Sequence, residues 1–330
     1  TKRLALETAD FITENKDQPF FAFLSFYAVH GPIETTEAKW SKYRDKAEAQ
    51  GIPESGFEMA ARLPIRTVQD NPVYAGLVES MDDAVGVVLE RLKELGLDDN
   101  TIVMFTSDNG GVASGDAFST TNKPLRGGKG YQWEGGIREP YLIKAPMLKK
   151  ASKTIDYPVS GIDFYPTLLD LAGVEKDPNH VVDGVSLVPL LKGESLNTRP
   201  LFWHYPHYGN QGGDPVSIIR KKEYKLIHYW EDGHDELYNL STDPGEQNDI
   251  FEEQQEISQS LRSELDAYLK NVNANIPVDY PKYDPVKAQE KYEERKTKML
   301  PRLEKQRMDF LSKDFLPNED WYNSSLNTKD

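Results

Sequence analysis

The sequence predicts an α/β fold, with a central, mostly parallel sheet flanked by helices and a small C-terminal subdomain that holds an antiparallel sheet and one helix. Two continuous apolar runs, residues 19–26 and 101–106, lack alternation, which is typical of strands covered on both faces. The last third changes to short strands between Gly, Pro and Asp turns, as in antiparallel sheets. We therefore expect a large domain over residues 1–198, a small subdomain over 199–275 and an extended or helical tail over 276–330.

Local periodicity and turn signals predict the elements of the large domain. Residues 74–95 carry apolar side chains every three or four positions and end before Gly96, which is typical of a helix. The 101–106 strand follows after a short turn, as in one half of a parallel crossover unit.

The polar stretch 34–71 lacks sustained periodicity, and we expect it to form a long excursion at the mouth of a site. Its basic side chains are expected to be solvated (Lys39, Lys42, Arg44 and Arg62). Further helices are expected over 1–15 and 160–173, and a further strand over 141–143.

The small subdomain is predicted from four short strands and one amphipathic helix. The helix covers residues 251–269, where Ile257, Leu261, Leu265 and Leu269 share one face. The tail at 285–309 has helical composition without a strong apolar stripe. The strands are expected at 201–204, 217–220, 225–229 and 236–240.

Composition excludes several classes of partner. The 330 residues carry 54 acidic and 39 basic side chains, a net charge of −15, which argues against nucleic acid or an anionic membrane. No apolar run approaches the roughly 18 residues that would span a membrane, so we expect no membrane partner. There are no cysteines, which excludes disulfides and thiolate metal sites. An anionic substrate must therefore be attracted by a local basic pocket.

Two oxygen-bearing side chains follow the 101–106 strand. Asp108 and Asn109 stand before Gly110 and Gly111, at the strand end where ligands gather in open α/β sheets. A carboxylate and an amide favour Ca²⁺ or Mg²⁺, whereas a histidine in the second position would favour Zn²⁺. The same four residues are also a common turn sequence.

Basic residues among glycines follow the acidic pair. Lys123, Arg126 and Lys129 lie beside Gly127, Gly128 and Gly130, so the backbone can approach a ligand closely while the cations hold an oxyanion. Together with a hard cation, this pattern indicates a metal-assisted site for a sulfate or phosphate ester.

Three motifs in this region resemble the calcium-dependent, formylglycine-dependent sulfatases of the alkaline-phosphatase superfamily. The resemblance extends from Phe20 to roughly Asn275 and implies an alkaline-phosphatase-like sandwich. It implies Ca²⁺, with Mg²⁺ as the alternative, on Asp108 and Asn109, a sulfate-binding role for Lys129, and a periplasmic or secreted location. The motifs are SDNGG at 107–111, PLRGGKG at 124–130 and WEGGIREP at 133–140.

His30 ends the first apolar run, where the resemblance implies a histidine that contacts sulfate or protonates the leaving oxygen. Imidazole titrates in the range that such an acid needs. A structural histidine at a strand-end turn is the alternative.

The family's nucleophile is not found in this sequence. The resemblance implies a formylglycine made from Cys or Ser in a C/S-x-P/A-x-R motif, and an early Asp-Asp metal pair. Neither is present among the 330 residues. We therefore expect the chain to correspond to the C-terminal two-thirds of a sulfatase, catalytically incomplete alone, with the missing N-terminal segment as its partner.

The loop at residues 204–213 combines aromatic rings, two histidines, amides and glycines. Flat rings and hydrogen-bonding side chains suit a sugar, so His204 and His207 are candidate substrate-binding residues and a sulfated carbohydrate is the expected substrate. A packed seam between domains and a zinc-binding histidine pair are the alternatives.

Two other functions remain compatible with the sequence. A phosphomonoesterase or phosphodiesterase of the same superfamily would normally carry a histidine at the position of Asn109 and use two zinc ions. A non-catalytic module that binds sulfated glycans would explain the absence of a nucleophile motif.

Overall fold

Three helices form a layer in the first part of the chain. The computed structural model describes residues 1–115, 117–148, 154–278 and 284–315. Helices α1 (Lys2–Glu14) and α2 (Glu37–Gln50) both pack on the long α3 (Pro72–Glu94). The Asn71 side chain accepts hydrogen bonds from the first turn of α3, and Pro72 lies where a helix tolerates proline. The predicted helices α1 and α3 are thus confirmed, whereas α2 was not predicted.

The sheet of the large domain differs from the expectation. Strand β3 (Val103–Thr106) pairs antiparallel with β4 (Tyr141–Lys144). Its first three residues are half-buried and its last is exposed, so the strand is not covered on both faces. Residues 20–26 form no strand, and Phe21 and Phe23 are 71% and 84% exposed. An apolar run indicates where burial is favourable, but a parallel strand also needs a parallel neighbour. The described residues supply no parallel neighbour for either run.

The small antiparallel sheet is confirmed. Its order is β5–β6–β7–β8, with every neighbouring pair antiparallel. One face packs on α7 (Gln255–Asn271) through leucine and isoleucine side chains. The opposite face packs on Tyr131 and Trp133 and thereby joins the sheet to the glycine-rich segment. The strands are β5 (Leu201–Tyr205), β6 (Val216–Lys221), β7 (Tyr224–Tyr229) and β8 (Asp235–Asn239).

The tail returns to the first part of the chain. Helix α8 (Pro285–Glu294) leads into a turn of π-helix (Arg295–Met299) and α9 (Leu300–Leu311). The π-helical turn and α9 cover a small hairpin of β1 (Phe57–Met59) and β2 (Pro64–Arg66). The indole of Trp40 donates to the carbonyl of Phe310 at 3.0 Å. The described part of the tail therefore forms helices, as its composition predicts, and these helices pack on the first part of this same chain.

The remaining elements are short and lie between β3 and the small sheet. They are α4 (Glu134–Ile137), a 3₁₀ turn (Pro146–Leu148), a 3₁₀ turn (Gly161–Asp163) that leads into α5 (Phe164–Ala172), and α6 (Val188–Leu191). No helix among the described ranges has the length and apolar character needed to cross a membrane. The domain boundaries at 198 and 275 stay a prediction, and residues 279–283 and 316–330 of the predicted tail lie outside the described residues.

Candidate active site

The candidate metal ligands lie on the turn that follows β3. The hydroxyl of Ser107 donates to the carbonyl of Asn109 at 3.0 Å and shapes this turn. The amide nitrogen of Asn109 donates to the carbonyl of Gly110 at 3.2 Å, so its amide oxygen is directed away from that contact. Asp108 is exposed. One carboxylate and one amide oxygen are thus presented together, as a hard cation requires.

Glu139 adds a second carboxyl group to this region. Burial raises the pKa of Glu139 to about 7, and the negative charge of Asp108 adds to the rise. Its Oε1 atom is buried without a hydrogen-bond partner among the described residues. Oxygen donors with an orphaned, buried carboxyl oxygen beside them fit a Ca²⁺ or Mg²⁺ ion, which would supply the missing positive charge.

Lys129 and His30 form the polar centre of the site. The ammonium of Lys129 donates to Nε2 of His30 at 3.0 Å, and His30 Nδ1 lies 3.0 Å from the carbonyl of Gly31. A lysine can only donate, so the imidazole accepts at Nε2 and carries its proton on Nδ1. The two residues are 99 positions apart in the sequence, and both are accessible to solvent.

Asn122 joins the metal turn to the anion-binding loop. Its Oδ1 accepts from the amide of Gly111 at 3.0 Å, while its Nδ2 donates to the carbonyls of Gly111 at 2.9 Å and Gly127 at 3.1 Å. The backbone of Lys129 adds a hydrogen bond to the Gly111 carbonyl at 3.1 Å. Asn122 was not predicted as a site residue, although its position between the two motifs is a signal for such a role.

Glycine is required where the metal turn meets the segment at 134–136. The amide of Gly110 donates to the carbonyl of Gly136 at 3.1 Å. A Cβ on Gly110 would lie 1.8 Å from the carbonyl oxygen of Gly135, which no side chain can relieve because the obstacle is backbone. The three motifs therefore form one closely packed backbone unit.

A buried cluster of charged side chains stabilises this backbone unit through Glu134 of the third motif. Lys225 of β7 places Nζ 2.8 Å from Glu246 and 3.2 Å from Glu134, and all three side chains are buried. Glu246 also accepts from the amide of Glu134 at 2.6 Å. Arg138 lies 4.0 Å from Glu134, so Lys225 is the closer partner of this carboxylate. The three residues are far apart in the sequence, so no local sequence pattern predicts that they meet.

Arg126 makes several contacts with the framework of the site. Its guanidinium stacks 3.7 Å from the ring centre of Trp133 and donates to the carbonyl of Glu246 at 2.8 Å and to the hydroxyl of Tyr238 at 3.2 Å. Both hydrogen bonds come from Nη1, one of three guanidinium nitrogens, so substrate binding by Arg126 stays a prediction. Lys123 is exposed and stays a candidate.

The two histidines of the aromatic loop have different surroundings. His204 Nδ1 lies 2.7 Å from the hydroxyl of Ser217, and its Nε2 lies 2.9 Å from the carbonyl of Asn275. With both ring nitrogens occupied, His204 is structural, which corrects its assignment to substrate and removes it as a zinc ligand. His207 is exposed and meets the ring of Tyr205 edge to face at 5.6 Å.

The same loop packs directly beside Lys129. A Cβ on Gly213 would lie 1.9 Å from the carbonyl oxygen of Gly130, and one on Gly209 would lie 3.2 Å from it. The exposed rings of His207 and Tyr208 therefore belong to a loop that contacts Gly130, the residue after Lys129. The loop is a packed seam at its glycine end and an open surface at its aromatic end.

Two family profiles match the chain. One, described as Sulfatase, matches residues 1–174, which is more than half of the 330 residues. The other, described as N-sulphoglucosamine sulphohydrolase, C-terminal, matches residues 128–275.

Named relatives agree with the profiles. A protein called Sulfatase from Formosa agariphila is 35% identical over 303 residues, covering 82% of this chain and 51% of that protein. Steryl-sulfatase of Rattus norvegicus is 36% identical over 211 residues, covering 62% of this chain and 32% of its own length. The chain thus spans about half or less of the length of these relatives.

A solved structure matches most of the described fold. Ps i-CgsB in complex with k-i-k-neocarrahexaose has a TM-score of 0.65 and 27% sequence identity, covering 81% of this chain and 54% of that chain. This likeness confirms the expected fold class, an alkaline-phosphatase-like α/β architecture with a small antiparallel sheet in its C-terminal region.

Proposed function

The chain belongs to the sulfatase family, and from that premise we propose that the protein hydrolyses sulfate esters carried by a carbohydrate. The observation that carries this proposal is the pairing of Lys129 with His30 at 3.0 Å, beside the Asp108 turn. An ammonium and an imidazole at one point can hold a sulfate group and protonate the oxygen that leaves with the sugar.

Ca²⁺ is the proposed cofactor, with Mg²⁺ as the alternative ion. Asp108 would hold the ion through its carboxylate and Asn109 through its amide oxygen, and the bound cation would stabilise negative charge on the sulfate oxygens. The orphaned Oε1 of Glu139 supports a cation at this position. Calcium takes about six to eight oxygen ligands, so further ligands would complete the shell that these two begin.

The residues of this chain do the binding and proton transfer, and the nucleophile is not among them. No Cys is present, and no Ser stands in a C/S-x-P/A-x-R motif. We propose a formylglycine nucleophile on the basis of family membership, together with a periplasmic or secreted location. Activity assays therefore need the full protein rather than the 330 residues alone.

The preference for a carbohydrate rests on the aromatic loop. Tyr205, His207 and Tyr208 are exposed on the loop that packs against Gly130, the residue after Lys129, and rings with polar edges suit a sugar. Ps i-CgsB, a structural relative at 27% identity, was solved with a bound neocarrahexaose. We propose that His207 contacts the sugar and that Lys123 contacts a substrate anion.

Replacement of Lys129 tests the assignment. Lys129→Met should lower sulfate release from an aryl sulfate by about 100-fold or more, because it removes a preorganised cation from the transferring group. Lys270→Met, on the exposed side of α7, is the matched control and should stay within about twofold of the parent protein. Equal activity of Lys129→Met and the control would contradict the proposal.

A non-catalytic glycan-binding module is the second candidate, favoured by the absence of a nucleophile motif from these residues. Calorimetric binding of a sulfated oligosaccharide by the full protein without any sulfate release would establish it. Elemental analysis separates the remaining rival, since calcium supports a sulfatase and zinc supports a phosphatase.

A further inference from the structure

Arg62 lies at the tip of the β1–β2 hairpin and contacts the aromatic loop. Its Nε atom donates to Asp214 at 2.8 Å, a second nitrogen pairs with Glu231, and its guanidinium lies 4.6 Å from the ring centre of Tyr208. The prediction that Arg62 is solvated is wrong, because its side chain is only 31% exposed and is paired with two carboxylates. The planar guanidinium of Arg62 thus contacts the face of the Tyr208 ring and binds Asp214, which directly follows the aromatic loop.

The C-terminal tail binds the backbone of Arg62 and the start of the hairpin. Arg295 donates through a guanidinium nitrogen to the carbonyl oxygen of Arg62 at 3.0 Å. Glu304 accepts from the amides of Gly56 and Phe57, at 2.7 and 2.9 Å, and so fixes the start of the hairpin. The hairpin is therefore attached to the tail at both ends.

The other side of the aromatic loop rests on the anion-binding loop. Gly209, the residue after Tyr208, packs against the carbonyl of Gly130, the residue after Lys129. Gln132 donates to Asp214 at 3.4 Å and adds a second link. Tyr208 is 52% exposed. The Tyr208 ring is thus held by Arg62, and the loop that carries it packs against Gly130, the residue after Lys129.

We propose that Arg62, supported by Arg295 of the tail, is a specificity-determining positioning residue that fixes the Tyr208 ring beside Lys129 as one wall of the sugar subsite. The inference rests on the proposed carbohydrate-binding function. Arg62 does not bind a second sulfate, since two carboxylates, Asp214 and Glu231, already surround its single positive charge. Its contribution is to the orientation of the ring.

The test compares two substrates in the full protein. An aryl sulfate occupies the sulfate site alone, whereas a sulfated carrageenan oligosaccharide also reaches the aromatic loop. Arg62→Met should raise KM for the oligosaccharide about tenfold and leave its kcat within about twofold, because only binding of the sugar is weakened. Kinetics with the aryl sulfate should not change.

Two further variants separate positioning from general stability. Arg62→Lys keeps the charge without the planar fork and should give an intermediate KM. Arg295→Met should reproduce the direction of the Arg62→Met effect at about two- to threefold, since it removes one hydrogen bond from the support. Arg302→Met, an exposed arginine of the same tail, is the matched control and should behave as the parent protein.

Several outcomes would overturn the inference. Equal losses for both substrates would indicate a structural role, and an unchanged KM in Arg62→Met would show that the ring is positioned without it. A parent protein that cleaves the aryl sulfate but neither binds nor cleaves the oligosaccharide would retain the sulfatase assignment and refute the sugar wall. If neither substrate is cleaved, calorimetric binding of the oligosaccharide decides, and about tenfold weaker binding by Arg62→Met would support the inference although the proposed activity fails.

Discussion

At the scale of single residues, the candidate site is organised by an amide that touches no substrate. Asn122 makes three hydrogen bonds to Gly111 and Gly127 and thereby joins the turn that carries Asp108 to the loop that carries Lys129. A side-chain amide suits this position, because it can accept from one backbone group while it donates to two others.

Asn122→Asp should therefore be strongly destabilising for its size. It replaces the donating nitrogen by a carboxylate oxygen that faces two carbonyl groups, and the loss of unfolding free energy should be about 2 to 3 kcal/mol. Urea denaturation measures it, with the exposed Asn248→Asp as control. A loss below about 0.5 kcal/mol, which is the size of an ordinary surface substitution, would show that the bridge is not important.

At the scale of elements, sequence patterns predicted what is local and failed where a partner was needed. The α3 helix and the four strands of the small sheet follow from periodicity, caps and turns, and they were predicted. Helix α2 was missed because it buries little beyond Trp40 and Arg44, so its sequence shows no apolar stripe. The apolar run at 20–26 was wrongly assigned as a paired strand, since a run of side chains does not specify which strand lies beside it.

Attachment of α9 to the hairpin should depend on pH. Burial alone would raise the pKa of Glu304, but hydrogen bonds from Ser55 and from the amides of Gly56 and Phe57 hold it below its ordinary value. A carboxyl group with a lowered folded-state pKa contributes stability above its unfolded pKa, about 4.3, and this stability is lost as the pH falls through the folded pKa.

Glu304→Gln should cost about 1 to 2 kcal/mol of unfolding free energy at pH 7 and progressively less below about pH 4, where the parent carboxylate is protonated too. Unfolding measured between pH 7 and pH 3 checks this, with the exposed Glu290→Gln of α8 as control. A difference between parent and variant that stays constant over this range would contradict it.

At the scale of the whole molecule, the site is assembled from parts far apart in the sequence. His30 meets Lys129 across 99 positions, and Lys225 meets Glu134 across 91. The motifs indicated the candidate groups of the site, namely two oxygen-bearing side chains, a lysine and a histidine. They could not give the supporting contacts, because the residues that make them, such as Arg62 and Lys225, lie in stretches whose local pattern indicates only a loop or a strand.

The net charge of −15 opposes the approach of an anionic substrate, while the contact with Lys129 favours it. The two effects act over different distances. Repulsion by the whole protein is screened when the Debye length falls from about 30 Å at 0.01 M salt to about 8 Å at 0.15 M, whereas a contact at hydrogen-bond distance is screened much less. Moderate salt should therefore help a polyanion to bind.

KM for a multiply sulfated oligosaccharide should fall as NaCl rises from about 10 to about 150 mM, and the change should be smaller for an aryl sulfate with one charge. Steady-state kinetics at fixed pH and fixed calcium measure both. A KM for the oligosaccharide that rises steadily from the lowest salt concentration would indicate that local attraction dominates at long range as well.

The hydrogen bond between Lys129 and His30 bears on how fast the product leaves. A sulfate that enters must displace the imidazole from the ammonium, so binding exchanges one hydrogen bond for another and gains only their difference. When the sugar has departed, His30 competes with inorganic sulfate for the same donor and returns to it as the anion dissociates. Under the proposed function, this contact would limit inhibition by the released sulfate, because it is made when the site is empty.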